Sequence, residues 1–273
     1  MLTSCIACGR NFELFGTTGG VLIFRCSNCG LGASHSEGVN VGYKRYHRDP
    51  VYKVSKEQFL NIFQKRVGII SRFIKGSRAL EIGSSTGLLL YLLTECGWDV
   101  LGVEPSKEAV GTAEKMGIET LNETFESAKL QLESFDLVVL NHTLEHMRDP
   151  LAVLGKARKI LKKNGLIFID VPNFGSFTAR LMGTKWSYIL PKEHYWHFTK
   201  DSLFRILEKS GFASIHWEAH SGIWGYGNPL LEVWQSFTGG KKRFFMNVLT
   251  AIPAFILTLL KFGTGLTVVA QKE

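Results

Sequence analysis

Cysteine is scarce in this chain, with five among 273 residues. Four of the five fall in two close pairs. That excludes the disulfide framework of a small secreted domain and favours metal binding in a reducing compartment, the cytoplasm. The opening residues, MLTSCIACGR, lack the long apolar core of a signal peptide, which leads to the same expectation. Charge is also sparse, at 21% of residues against 45% hydrophobic, so the chain can bury a substantial core and is not disordered. No internal repeat or low-complexity segment is present, and the length suits one large domain with a small appendage. Acidic residues are outnumbered, 24 against 32 Lys and Arg, for a formal charge of +8. Such a surplus attracts nucleic acid, an anionic membrane or a phosphorylated substrate, or it is simply a basic surface. The basic clusters at Lys44–Arg48, Lys162–Lys163 and Lys241–Arg243 are too short to imply RNA binding alone.

The paired cysteines form two C-x-x-C-G knuckles, Cys5-Ile-Ala-Cys8-Gly9 and Cys26-Ser-Asn-Cys29-Gly30, seventeen residues apart. In each, two thiolates on a tight turn can meet one ion, and glycine permits the turn's backbone angles. Four soft thiolates in tetrahedral array select Zn2+, in a closed structural site. Gly16–Gly20 reads as a hairpin turn and Val21–Phe24 as a returning strand, which makes a zinc ribbon. A dithiol redox pair is the rival reading, and two matched pairs fit one shared metal better.

Residues 31–54 read as a linker. Phe59, Ile62, Phe63, Val67, Ile70 and Ile74 then recur at helical spacing, with Ser55 as the expected cap and Gly76 as the stop. Strands and helices alternate from there. Strands are expected at Arg78–Gly83, Asp99–Val103, Glu119–Leu121, Phe135–Leu140 and Leu166–Val171. Helices are expected at Gly87–Cys96, Lys107–Lys115, Leu151–Lys162 (ended by Asn164-Gly165) and Lys200–Ser210. The alternation predicts an α/β fold, a mostly parallel sheet covered on both faces.

The stretch Leu80-Glu81-Ile82-Gly83-Ser84-Ser85-Thr86-Gly87 is a strand, a glycine-containing turn and a helix start, and ligands bind beyond such strand ends. Its glycines, at G-x-x-x-G spacing, would let a ligand approach the backbone closely; a dinucleotide site wants G-x-G-x-x-G. Glu81 would oppose a pyrophosphate and favour a cationic ligand. Glu104 ends the next strand, placed to hold both hydroxyls of a ribose.

Four motifs in order carry a family resemblance: E-I-G-x-x-x-G, then G-V-E-P at Gly102–Pro105, then F-D-L-V-V-L-N-H-x-L-E-H at Phe135–His146, then L-K-K-N-G-L-I-F-I-D-V-P-N at Leu161–Asn173. Over about residues 76–215 the chain resembles class I S-adenosylmethionine methyltransferases, in the small-molecule branch that includes ubiquinone-biosynthesis and sugar methyltransferases. The resemblance implies a Rossmann-like, seven-stranded, mostly parallel sheet with an antiparallel last strand, which Gly265–Gln271 fits. The expected division is a zinc ribbon over 1–32, a linker and helix over 33–75, and a methyltransferase domain over 76–273 with an apolar insertion at about 222–262. It also implies S-adenosylmethionine as cofactor. Glu81, Gly83, Ser84 and Gly87 would line its methionine end and Glu104 would bind its ribose. Pro105, Thr124 and Phe125 would flank the adenine, although Glu123-Thr124 replaces the family's usual Gly-Asp. Asn141 and His142 would lie beside the sulfonium.

Methyl transfer to a hydroxyl or carbon usually needs a base, and histidine suits that task near neutral pH. His142 is one candidate. His194 and His197, in Glu193-His-Tyr-Trp-His-Phe-Thr199, are the others, with His194 first; the alternative is that both only orient the loop. Glu145 and His146 would tie the strand end to the next helix. The uncharged run 244–260, with Lys241–Arg243 before it and Lys261 after, is marginal for a bilayer span. A single crossing would strand the last strand on the wrong side. The run should instead lie on the inner face of a membrane, with Pro253 kinking the helix, or cover a substrate pocket or a homodimer interface. The expected acceptor is a small molecule, a glycan or a lipid-linked sugar or quinone, methylated on O or C. RNA methylation through the ribbon is the alternative, and a non-catalytic scaffold a third reading. The strand-end motif Asn-His-Thr-Leu lacks the Asn/Asp-Pro-Pro-Tyr of many base methyltransferases.

Overall fold

A computed structural model describes residues 4–35, 56–239 and 244–273. The first knuckle leads into β1 (Phe12–Thr18) and β2 (Val21–Cys26), an antiparallel hairpin. Its tight turn is Gly19-Gly20, φ +56° and +79°, a conformation only glycine adopts without strain. The turn is therefore narrower than Gly16–Gly20, because Gly16 lies inside β1 at a register shift. Strand β3 (Gly32–His35) pairs with β2 and crosses the expected ribbon boundary at residue 32. Most of the expected linker, and the cap Ser55, lie outside the described residues.

Helix α1 (Lys56–Phe73) buries Phe63, Val67, Ile69 and Ile70. The alternating run follows: β4 (Arg78–Ile82), α2 (Leu88–Thr94), β5 (Asp99–Val103), α3 (Lys107–Lys115), β6 (Thr120–Leu121), β7 (Phe135–Asn141), α4 (Pro150–Ile160) and β8 (Leu161–Pro172). Local chemistry sets the helix starts. Ser106 Oγ accepts from the Ala109 amide, and Asp149 accepts from Ala152 with Pro150 in the first turn. At β8 the structure differs from expectation. The strand begins at Leu161, paired with Phe135, and Asn164-Gly165 is a kink inside it rather than a helix stop. Asn164 takes φ +62°, and the register slips between Phe135 and Leu137 to absorb it.

Helix α5 (Phe177–Met182), the two-residue β9 (Trp196–His197), α6 (Lys200–Lys209), β10 (Phe212–His220), α7 (Pro229–Thr238), α8 (Phe244–Leu259) and β11 (Gly265–Lys272) complete the chain. The seven-stranded sheet has the order β10-β11-β8-β7-β4-β5-β6, with β11 antiparallel to both neighbours and the remaining pairs parallel. One apolar layer joins Ile82, Val138 and Leu140 to α4 and α6; the other joins Leu137, Val139 and Phe168 to α1 and α2. The cysteine knuckles share the first layer, and β9 adds a fourth strand to the ribbon sheet. Ribbon and α/β domain are thus packed on one core. Pro253 lies within α8, and no described helix is long and apolar enough to cross a membrane.

Candidate active site

Strand order reverses at β4, whose neighbours β5 and β7 run away in opposite directions. A crevice for a ligand opens at the carboxyl end of such a strand. There the chain turns through Gly83 (φ +70°), Ser84, Ser85 and Gly87 (φ +76°) into α2. Sequence reasoning assigned these glycines to ligand approach. The structure adds a packing reason: a Cβ on Gly83 would lie 2.8 Å from Thr143 Cγ2, and one on Gly87 3.0 Å from Ala113 Cβ. Both positions need a left-handed backbone and leave no room for a side chain, because protein fills the space.

Two carboxylates flank the turn. Glu104, at the end of β5, is buried; its Oε1 accepts from the Ser106 amide at 2.8 Å and its Oε2 from the Ser85 amide at 3.0 Å. Burial raises its pKa while those two donors oppose the rise. Glu81 is buried in β4 with no hydrogen-bond partner on Oε2. Burial first, and then the charge of Glu104, holds its carboxyl well above the usual range against the pull of Arg66. Ser84 Oγ and Asn141 Oδ1 are likewise buried without partners. This rim of unpaired polar atoms is what a polar ligand would satisfy. Pro105 is half-buried and Thr124 exposed, whereas the Phe125 ring is buried beneath Lys156, whose ammonium lies 4.8 Å from its centroid and donates to the Ala128 carbonyl at 2.7 Å.

The histidines gather at the end of β7. His142 adopts φ +53° and its amide donates to the Asp170 carbonyl. Its Nδ1 lies 3.3 Å from Oε1 of Glu145, which is buried and keeps Oε2 without a hydrogen bond. Burial raises the Glu145 pKa, but the His142 hydrogen bond and the nearby imidazoles outweigh it and bring it to about 2. His194 is buried, and burial lowers its pKa to about 3 despite Glu145. Its Nδ1 donates to the Tyr188 carbonyl at 3.0 Å, and the His146 Nδ1 donates to the Glu193 carbonyl at 2.9 Å. The two rings meet edge to face at 4.6 Å. His197 has a different neighbourhood. Its Nε2 bonds Ser34 Oγ at 2.9 Å, and its strand β9 pairs with β3, so the ring joins ribbon to loop.

Three groups here carry no sequence signal. Tyr195 donates its amide to Glu145 and accepts at its carbonyl from the Ser34 amide. Arg66, on α1, forms an ion pair with the fully buried Asp170, and His220 lies 3.6 Å from the same carboxylate. Residues so far apart in the chain leave no local pattern; Asp170 alone, a charge inside an apolar strand, was a cue. In the ribbon the four cysteine sulfurs lie within 4.8 Å of one another, with Cys5–Cys29 and Cys8–Cys26 each at 3.5 Å. Tetrahedral zinc thiolates sit about 3.8 Å apart, so the arrangement fits one ion.

The pattern of the methyltransferase domain family matches residues 56–216. The chain belongs to that family. A ubiquinone biosynthesis O-methyltransferase of Cereibacter sphaeroides is 34% identical over 153 residues, which cover 52% of this chain and 62% of the relative. The fold is that of S-adenosylmethionine-dependent methyltransferases. A solved one from Thermotoga maritima, described as a possible histamine N-methyltransferase, superimposes with a TM-score of 0.57 at 21% identity, covering 82% of this chain and 94% of its own. A phosphoethanolamine N-methyltransferase of Haemonchus contortus, solved with S-adenosylmethionine, gives 0.59 at 17% identity, covering 88% and 62%. The ribbon and the segment holding α7 and α8 lie outside the stretch matched to the methyltransferase family.

Proposed function

We propose that this chain transfers a methyl group from S-adenosylmethionine to oxygen or carbon of a small-molecule, glycan or lipid-linked acceptor. The observation that carries the reading is the pair of buried carboxylates, Glu81 and Glu104, at the ends of adjacent strands where sheet order reverses. Glu104, oriented by two amides, would accept from both ribose hydroxyls. Glu81 and Ser84, with their unpaired oxygens, would meet the cofactor's polar methionine end beside the Gly83–Gly87 turn. Pro105, Thr124 and Phe125 would border the adenine, and Asn141 and His142 the sulfonium. The cofactor supplies the activated methyl; the protein's part is alignment and proton removal. His142 suits the second task, since it is half-buried and its Nδ1 leans on the buried Glu145, an arrangement that orients a histidine base. His197, spent on Ser34, would position the loop.

The four cysteines would hold Zn2+ as a structural ion. Because β3 pairs with β9, the ribbon's outer strand is used within the chain itself. That supports a bracing role for the ribbon over RNA recognition. Helices α7 and α8 expose Trp234, Phe237, Phe245, Leu249 and Ile252, and the sequence joining them carries Lys241-Lys242-Arg243. Apolar surface beside basic residues supports contact with the inner face of an anionic membrane and a lipid-linked acceptor.

Calorimetry with S-adenosylmethionine tests the reading. Glu104→Ala should weaken binding about 10- to 100-fold, as expected for lost hydrogen bonds to a charged group. Absence of binding by the unaltered chain would sink it. Labelled cofactor supplied with fractionated cell extract then identifies the acceptor class, and label entering RNA alone would refute the small-molecule assignment.

A further inference from the structure

Around the end of β8, four cations gather on aromatic rings with no acid between them. Arg25, in β2, lies 5.7 Å from the Phe15 centroid and 5.3 Å from that of Phe174. Arg180, in α5, lies 5.4 Å from the Phe262 centroid. Lys261 and Lys200 stand 4.5 and 4.0 Å from the centre of one ring, Trp217. The described residues give none of the four a carboxylate partner; Asp201, next in the chain to Lys200, is taken by Arg205 at 3.0 Å. The segments that carry them are bonded to one another. The Phe174 amide donates to the Phe198 carbonyl at 2.7 Å, Phe177 to Phe262 at 3.2 Å and Asn173 to Thr264 at 2.8 Å. A Cβ placed on Gly30 would lie 3.6 Å both from Arg25 Nη2 and from Oγ1 of Thr199, the residue before Lys200. Burial first, and then the charge of Arg180, lowers the Arg25 pKa, so the two guanidiniums lie within electrostatic reach. An aromatic face fixes a cation's direction and leaves its charge unneutralised. Like charges held together in this way repel until an anion stands among them.

We propose that Arg25, Arg180, Lys200 and Lys261 form a binding site for a diphosphate group carried by the acceptor. Guanidiniums present planar forks that match phosphate oxygens in pairs, and ammoniums add point charges. Four positive charges exceed what one phosphate needs and suit two linked phosphates. The site lies on the same side of the sheet as the proposed reaction centre. Strand β8 takes the His142 amide on its Asp170 carbonyl and then leads through Asn173 into α5, which carries Arg180. The diphosphate is held and not cleaved; the group attached to it is what receives the methyl. The ribbon, through Arg25, thus supplies a ligand to the acceptor as well as bracing the loop. The choice of acceptor rests on the methyl-transfer reading; the affinity for diphosphate does not. A diphosphate comes attached either to a nucleoside or to a prenyl chain, and the experiment separates these sources.

Titration calorimetry of the full chain with inorganic pyrophosphate at low salt should show one site. Arg25→Gln and Arg180→Gln should each weaken binding about tenfold or more, the effect of losing a charged hydrogen-bond partner. Lys200→Gln combined with Lys261→Gln should weaken it by a similar factor. Arg180 and both lysines are exposed, so these variants fold, and unchanged affinity for S-adenosylmethionine checks that they do. A nucleoside diphosphate and geranyl diphosphate are then compared. Whichever binds more tightly than pyrophosphate names the attached group, and either result supports the site; failure of both to bind overturns it. Absence of pyrophosphate binding by the unaltered chain, undiminished affinity in all the variants, or equal affinity for citrate would also overturn it. If the unaltered chain takes no pyrophosphate and the substitutions abolish binding to phosphatidylglycerol vesicles, the cations serve a membrane surface instead. Pyrophosphate bound by an unaltered chain that binds no S-adenosylmethionine would leave the site standing and overturn the methyl-transfer reading.

Discussion

Asp170 sits at the centre of the sheet with no solvent exposure, and the groups beside its carboxylate are Arg66 from α1 and His220 from β10. Burial alone would raise its pKa, but the Arg66 charge, with help from His220, holds it far below the usual carboxylate range. Breaking such a pair strands an uncompensated buried charge and costs about 3–5 kcal/mol. Arg66→Met should therefore lower unfolding free energy by about that amount, read from denaturant melts at pH 7. The sign of the pH dependence follows from the depressed pKa. The stabilisation is fully present above the unfolded value of about 4 and disappears as pH falls toward the folded one. The native chain should lose stability in acid more steeply than Arg66→Met; equal slopes would show that the pair is not the cause. The charge on Asp170 was visible in the sequence as an anomaly in an apolar strand. Its partner was not, because 104 positions separate the two and only the packing of α1 across the sheet brings them together.

At the scale of elements, the ribbon holds the loop that carries His194. A run of backbone contacts leads from Ser34 to Tyr195 and on to Glu145, while Thr199 Oγ1 donates to the Cys29 carbonyl at 2.7 Å and Lys209 Nζ to that of Ile6 at 3.0 Å. Chelating the Zn2+ proposed for the four cysteines, or Cys8→Ser, should speed hydrogen exchange across residues 194–199 by at least tenfold and leave β4, β5 and β7 protected. Uniform exchange across both regions would argue that the ribbon is no brace. The two knuckles were legible because metal-ligand spacing is a local property. The pairing of β3 with a two-residue strand from the far side of the chain was not, since β9 is too short to show any periodicity. Local signals misled at Asn164-Gly165, where a pair that commonly ends helices instead bends a strand. Pairing of Leu161 with Phe135, helped by the Lys162–Asp136 ion pair at 2.8 Å, overrides the local preference.

Across the whole molecule, the apolar surface is unevenly distributed. Phe245 is 80% exposed and Leu249 74%, on a helix without a single charge, whereas the large apolar residues of the central strands β4, β7 and β8 lie inside the two layers. Because these side chains contribute little buried area, Phe245→Ser with Leu249→Ser should shift stability by less than about 1 kcal/mol. The same pair should abolish co-sedimentation with phosphatidylglycerol vesicles. Retained sedimentation would remove α8 from membrane contact, and loss of a dimer in light scattering would assign the face to a second copy instead.

The sequence by itself determined the α/β order, the strand-ending carboxylates Glu81 and Glu104, the four-cysteine cluster and the apolar segment. Each depends on periodicity or short spacing, which backbone geometry converts directly into structure. Tertiary structure alone decided that Gly83 and Gly87 make room for protein and that His197 serves the ribbon. It also decided that Glu145, His146 and His194 gather at the end of β7. Those facts depend on which distant segments pack together, and packing satisfies buried polar atoms and fills space without leaving a local mark in the chain.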